Sequence, residues 1–200
     1  ISLSIGLCSF NREKELAVTV EKLSNFKSET PEIADVFVVN QGAEFLNSDL
    51  LSILEEADFH HIEQGNFGGC GGFNRSMIEA VSADNPATYH LLMDDDIDLD
   101  ARVIKRALQF LGHTKKEMAI GGQMLDLFRQ NILFEAGARV NRFWTVNSIG
   151  SGTDIAEPEN LQVFNENMDI DYNAWWFCMI PTHALTKLDF SPPIFIHVDD

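Results

Sequence analysis

The sequence predicts an α/β domain, a mainly parallel sheet flanked by helices, with a β-rich extension in its second half. Three observations carry this reading. Near-continuous apolar runs recur at 3–10, 34–40, 59–62 and 89–93, and stretches of helical period alternate with them. Strands that are apolar through their whole length belong to sheets covered on both faces. The 200 residues are 45% hydrophobic, enough for one domain with a sizeable core.

Taken in order, residues 3–10 read as a buried strand, and 13–25 as a helix with Leu16, Val20 and Leu23 on one face. A second strand over 34–40 leads to a short helix over 49–57 and a weak third strand over 59–62. Residues 71–81 form a helix with Phe73, Met77 and Ala80 inward. The fourth strand, 89–93, precedes a helix over 101–112 that turns Val103, Ile104, Ala107, Leu108 and Leu111 to the core. After Met118 the pattern changes. Residues 132–150 read as hairpins or an irregular β insertion, and 153–167 as a polar loop. Two more strands are expected at 169–179 and 194–198. The expected division is a single domain with a ligand-binding half over 1–117 and a substrate-facing half over 118–200.

Charge excludes one class of partner. A formal net charge of −17 is incompatible with nucleic acid, whose phosphates need Lys and Arg patches. An anionic nucleotide fits only with divalent metal between carboxylates and phosphates. No run of 18 uncharged apolar residues occurs, and the opening residues lack the features of a secretory signal. The chain starts inside a core-type strand without Met, so an excised piece of a longer protein is expected. Cys8, Cys70 and Cys178 are odd in number and widely spaced, which suits reduced thiols in a cytosolic setting.

The strongest chemical signal is Asp94-Asp95-Asp96 at the tip of the fourth strand. Alternation puts Asp94 and Asp96 on one face and Asp95 on the other. Two carboxylates on one face are suited to hold Mg²⁺ or Mn²⁺, which then bridges diphosphate oxygens. Asp98 and Asp100 read instead as helix-start acids. A calcium loop starting at Asp94 is excluded, because its sixth and twelfth positions are Leu99 and Lys105 rather than Gly and Glu. A phosphatase with an aspartyl nucleophile is disfavoured, since it usually carries its motif on the first strand and here strand–helix units precede it.

Further signals fall at other strand ends. Five glycines between Gln64 and Arg75 precede a helix, where backbone approaches a ligand closely, yet neither the dinucleotide fingerprint nor the P-loop is matched. Arg12, after the first strand, is placed to fork onto a diphosphate. Asn40 and Gln41 end the second strand, where amides can read a base edge. Trp175 and Trp176 are adjacent, so on a strand they face opposite ways, one toward the core and one free to stack on a sugar. Residues 194–200 repeat the pattern of an apolar strand ending in paired carboxylates, Asp199 and Asp200, one of which can act as a base. In open α/β sheets ligands bind beyond the carboxyl ends of the strands, where all these clusters fall.

Together and in this order, the clusters resemble the inverting glycosyltransferases of the GT-A fold, and most closely the bacterial galactofuranosyltransferases. Residues 9–12, 66–73, 93–97, 171–181 and 195–200 carry the resemblance, which spans nearly the whole chain. It implies that Asp94 and Asp96 bind the metal of a uridine-diphosphate sugar, with Asp95 beside them on the substrate. It also implies that Arg12, Asn66 and Gly68 line the nucleotide pocket and that Asn40 lies against the base. Trp175 and Trp176 would border a carbohydrate or glycolipid acceptor. Asp200 would be the catalytic base, with Asp199 beside it. Many relatives have Asp where this chain has Asn40, and they continue past the paired Asp to a His that completes the metal site. The resemblance implies a cytoplasmic enzyme, held at the membrane face through regions outside these residues. A sugar-nucleotide nucleotidyltransferase and a non-catalytic nucleotide-sugar-binding module are the alternatives.

Overall fold

The computed structural model describes residues 1–187. The strand expected at 194–198, together with Asp199 and Asp200, lies outside the described residues. The described residues divide into two compact units, one built from 1–120 with 179–187, the other from 121–178.

The first unit begins β1 (Leu3–Ser9), α1 (Glu13–Glu29), β2 (Ile33–Asn40), α2 (Ser48–Glu56), β3 (His60–Glu63) and α3 (Gly68–Ser82). It continues with β4 (Tyr89–Asp94), α4 (Arg102–His113) and β5 (Ile120–Gly121). The second unit holds β6 (Met124–Leu125), β7 (Leu133–Glu135), β8 (Ala138–Val140), β9 (Val146–Ser148) and α5 (Pro158–Phe164). The chain returns to the first unit along β10 (Phe177–Pro181) and ends in α6 (Thr182–Leu185).

The main sheet has the order β3-β2-β1-β4-β10-β5, with β1, β2, β3 and β4 parallel. Leu3, Ile5 and Leu7 of β1 and Leu91, Leu92 and Met93 of β4 are fully buried. These are the apolar runs expected of a sheet covered on both faces, and each fully buried Leu contributes about 1.5–3 kcal/mol. Leu16, Val20 and Leu23 of α1, and Ile104, Ala107, Leu108 and Leu111 of α4, are buried as the helical spacing predicts, whereas Val103 is 40% exposed.

Residues 179–187 pack with the first unit: β10 joins its sheet and the Thr182 N–H bonds the Thr88 carbonyl at 3.0 Å. Two expectations are corrected. The polar loop contains a short helix, α5, started by Pro158, whose fixed φ suits the first helical position. Trp175 and Trp176 lie in a turn rather than a strand. The Asn173 amide shapes that turn, donating to the carbonyls of Ala174 (2.6 Å) and Phe177 (3.0 Å), and β10 starts only after it.

Candidate active site

Parallel register brings the chemistry to one edge of the first unit's sheet. Cys8 stands opposite Asp94, Ser9 opposite Asn40, and Asn40 opposite Glu63. The loops after β1, β2, β3 and β4 therefore all leave from the carboxyl edge, where open α/β sheets bind ligands.

The aspartates differ in surroundings. Asp94 closes β4 and is half-buried, Asp95 is 4% exposed, and Asp96 is exposed. The Thr19 hydroxyl of α1 donates to the Asp95 carbonyl at 2.9 Å and ties the turn to the helix behind it. Arg12 pairs through Nη1 with the Asp96 carboxylate and stands 3.7 Å from Asp95 Oδ1. Burial pushes the Asp95 carboxyl up to about 6, and the Asp96 charge adds to this. The neighbouring Ser9 hydroxyl and the Arg12 guanidinium oppose it. Asp95 Oδ2 is buried without a hydrogen-bond partner among the described residues.

This donor set fits a hard divalent cation, since three consecutive residues offer carboxylate oxygens and one of those oxygens is buried and unpartnered. Among the described residues no three His, Cys, Asp or Glu side chains converge into a complete metal cage. A cation held here would take its remaining ligands from outside that set, as Mg²⁺ does when it binds through carboxylates, waters and substrate phosphates.

Asn40 is completely buried, and its amide is engaged within the protein. Nδ2 donates to the Ala43 carbonyl (2.8 Å) and to the Glu63 carboxylate (3.1 Å), and Oδ1 accepts the Gly42 N–H at 3.0 Å. Contact between this amide and a base requires one of these bonds to be released. Asn66 is exposed and its Oδ1 accepts the Gly68 N–H at 3.0 Å. Gly68, at φ +74°, sits in the left-handed region that favours glycine.

The glycine-rich stretch is mostly helix: α3 starts at Gly68, not at 71. A Cβ on Gly72 would strike the Cys8 sulfur and the Gln41 amide, so this glycine lets the helix lie against the strand ends. Gln41 is the residue whose role sequence reasoning missed. It is buried, Nε2 donates to the Gly68 carbonyl at 2.8 Å, and Oε1 accepts from the Phe67 N–H (2.9 Å) and Gln64 Nε2 (3.0 Å). Phe10 and Phe67, 48% and 62% exposed, stand at the same edge and were legible only through their strand-end and loop placement. In the second unit Trp175 and Trp176 are both half-buried, and Trp176 Nε1 donates to the Gly122 carbonyl at 3.4 Å. Two concavities of the first unit lie before the amino ends of β1, β2 and β4, lined by residues such as Pro31 and Lys105 or Pro86 and His183.

A mostly parallel sheet flanked by helices is the fold of the GT-A glycosyltransferases. Glucosyl-3-phosphoglycerate synthase from Mycobacterium tuberculosis, solved with Mn²⁺, uridine-diphosphate and glucosyl-3-phosphoglycerate, shares this fold. It superposes with a TM-score of 0.57 at 12% identity, over 96% of this chain and 60% of that one. Residues 4–169 match the family described as glycosyl transferase family 2, and the chain belongs to that family. It is 30% identical over 216 residues to the galactofuranosyltransferase GlfT2 of Mycolicibacterium smegmatis, and 31% over 215 residues to that of Mycobacterium tuberculosis. Both matches cover all of this chain and 33% of the relative, so the chain spans about a third of the length of these relatives.

Proposed function

We propose that this chain is the donor-binding and catalytic core of an enzyme that transfers a sugar, galactofuranose in the reading its relatives favour, from a uridine-diphosphate sugar. The acceptor is a carbohydrate or glycolipid, and transfer inverts the anomeric centre. The carrying observation is that Arg12 and Asp94, Asp95 and Asp96 meet at the carboxyl edge of the sheet.

In this reading Asp94 and Asp96 hold Mn²⁺ or Mg²⁺, which when bound offsets diphosphate charge. Arg12 moves from the carboxylates to a phosphate, a change between two charge-assisted partners. Asp95, poorly solvated, keeps negative charge close to the cation. Asn66 and Gly68 line the nucleotide pocket, Asn40 holds the loop beneath the base, and Trp175 and Trp176 border the acceptor. Asp200 takes the proton of the attacking hydroxyl, with Asp199 next to it. Asp200→Asn is expected to lower kcat by about 10²–10⁴-fold, the usual contribution of a general base, with little change in donor affinity. A transfer assay that finds full activity in this variant moves the role to Asp199.

The proposed location is the cytoplasmic face of a membrane. Among the described residues no helix is long and apolar enough to cross one. A panel of nucleotide sugars read by calorimetry with Mn²⁺ tests the donor. Tighter binding of a guanosine- or adenosine-diphosphate sugar than of any uridine-diphosphate sugar would overturn the donor assignment.

A further inference from the structure

The second unit exposes large apolar side chains at the tips of two hairpins. β8 and β9 pair antiparallel, Arg139 opposite Asn147 and Val140 opposite Val146, and 141–145 joins them. At this tip Phe143 is 72% exposed and Trp144 88%. The turn is well held. Asn141 Oδ1 accepts the N–H groups of Phe143 (2.8 Å) and Thr145 (3.1 Å), and the Trp144 N–H donates to the Asn141 carbonyl at 2.9 Å. Trp144 sits at φ +62°, a region that bulky residues enter only at a cost. The backbone is thus fixed in an uncommon conformation whose outcome is an indole standing in water. The Arg142 guanidinium lies 4.6 Å from the Phe143 ring centre. The turn between β6 and β7 repeats the composition. Leu127 and Phe128 are 55% and 93% exposed beside Arg129, and Asp126 Oδ1 accepts the N–H groups of Phe128 and Arg129.

Charge singles out the first of these tips. In a chain of net charge −17, residues 136–153 contain Arg139 and Arg142 and no Asp or Glu. At the base of the hairpin the Asp171 carboxylate accepts the Val140 N–H at 3.1 Å. The rest of so acidic a chain is repelled by an anionic surface, and this hairpin is not.

We propose that the β8–β9 tip docks on an anionic lipid bilayer, with Phe143 and Trp144 entering the interface and Arg139 and Arg142 meeting the headgroups. Amphipathic aromatic rings settle at the headgroup level, and basic side chains beside them are drawn to anionic lipid. A protruding tip suits a partner that yields around it, whereas a sugar ring or a folded protein needs a complementary hollow. The proposal deepens the membrane-face location given above and rests on it, but does not depend on transfer activity.

Co-sedimentation with vesicles of phosphatidylcholine alone, and of phosphatidylcholine mixed with phosphatidylglycerol, tests it. The protein is expected to bind the anionic vesicles at least about tenfold more tightly. The double variant Phe143→Ser, Trp144→Ser is expected to lose about tenfold of that affinity, and Arg139→Gln, Arg142→Gln to lose the preference for anionic lipid. Brominated phosphatidylglycerol is expected to quench the indole fluorescence of the protein, and to quench that of Trp144→Phe far less. The proposal is overturned by equal binding to both vesicles, by no binding to either, or by unchanged quenching in Trp144→Phe. It is also overturned if the tip substitutions weaken binding of a water-soluble acceptor while vesicle binding is unchanged. Transfer to that acceptor, measured separately, reports on the catalytic reading alone.

Discussion

His90, within β4, and Asp95, just past its end, are both buried titratable groups, and their surroundings differ. His90 is fully buried with Nδ1 2.9 Å from Ser4 Oγ and Nε2 3.2 Å from Ser76 Oγ. The Ser76 hydroxyl donates to the Phe73 carbonyl at 2.8 Å, so its oxygen accepts from Nε2–H and leaves Nδ1 to accept from Ser4. Burial holds the ring's pKa down to about 3, and it stays neutral with every polar atom paired. Asp95 has one unpartnered oxygen and a carboxyl pushed up to about 6. The interior of the strand shows how this fold treats a polar group that serves stability. The tip departs from that rule, and its buried, poorly compensated carboxylate is the feature on which the proposed ligand site rests.

Substitutions can break or sharpen this contrast. The largest expected effect is that of His90→Ala, which leaves a cavity and takes from Ser4 and Ser76 their shared imidazole partner. Urea unfolding is expected to show a loss of about 3 kcal/mol. A loss below about 1 kcal/mol would show that the paired histidine contributes little.

Asp95→Asn is expected to act in the opposite direction. In chelator at pH 7 it removes a charge that burial disfavours, and stability should rise by about 2 kcal/mol. The sign depends on pH. Asp95 binds its proton more tightly folded than unfolded, so its contribution is present below about pH 3.8 and is lost as pH rises through about 6. The advantage of the variant therefore fades between pH 6 and 4. His90 has the reverse sign, because its folded pKa lies below its unfolded value. Its contribution is lost as pH falls from about 6.5 toward 3, at up to roughly 1.4 kcal/mol per pH unit. In the native protein the two slopes oppose each other between pH 6 and 4. Asp95→Asn should expose the histidine slope, and unfolding curves that stay parallel to the native ones across this range would contradict the account.

Gln41 is intermediate, paired as fully as His90 but placed at the tip like Asp95. Gln41→Ala leaves the Phe67 N–H and the Gly68 carbonyl without their partner and is expected to cost about 1–2 kcal/mol. Weaker nucleotide binding should accompany it, since Gln41 holds the start of α3. Unchanged affinity would make it purely structural.

Much of the first unit was legible because its signals are local. Apolar runs mark β1, β2 and β4, and helical spacing marks Leu16, Val20 and Leu23. The placement of the aspartate triad at a strand tip was legible for the same reason. The bonds that distinguish its members were not, because Arg12, Ser9 and Thr19 reach Asp95 and Asp96 from residues more than 70 positions away. The same holds for His90, whose partner Ser4 lies 86 residues back. Adjacent tryptophans at 175 and 176 suggested a strand, but the Asn173 amide turns the chain there. The glycines at 68 and 69 suggested a loop ahead of the helix, but they open α3, and Gly72 lets that helix pack against the strand ends. At the tryptophans a side-chain bond within five residues decided the conformation, and at the glycines a contact between distant parts of the chain did.

The central claim is that the β4 tip binds a nucleotide diphosphate through a divalent cation, and calorimetry of uridine diphosphate tests it most directly. Affinity is expected to fall at least about tenfold, or about 1.4 kcal/mol, when Mn²⁺ is chelated, and to fall as far for Asp96→Ala with Mn²⁺ present. Equal affinity with and without the metal, or in Asp96→Ala, would contradict it.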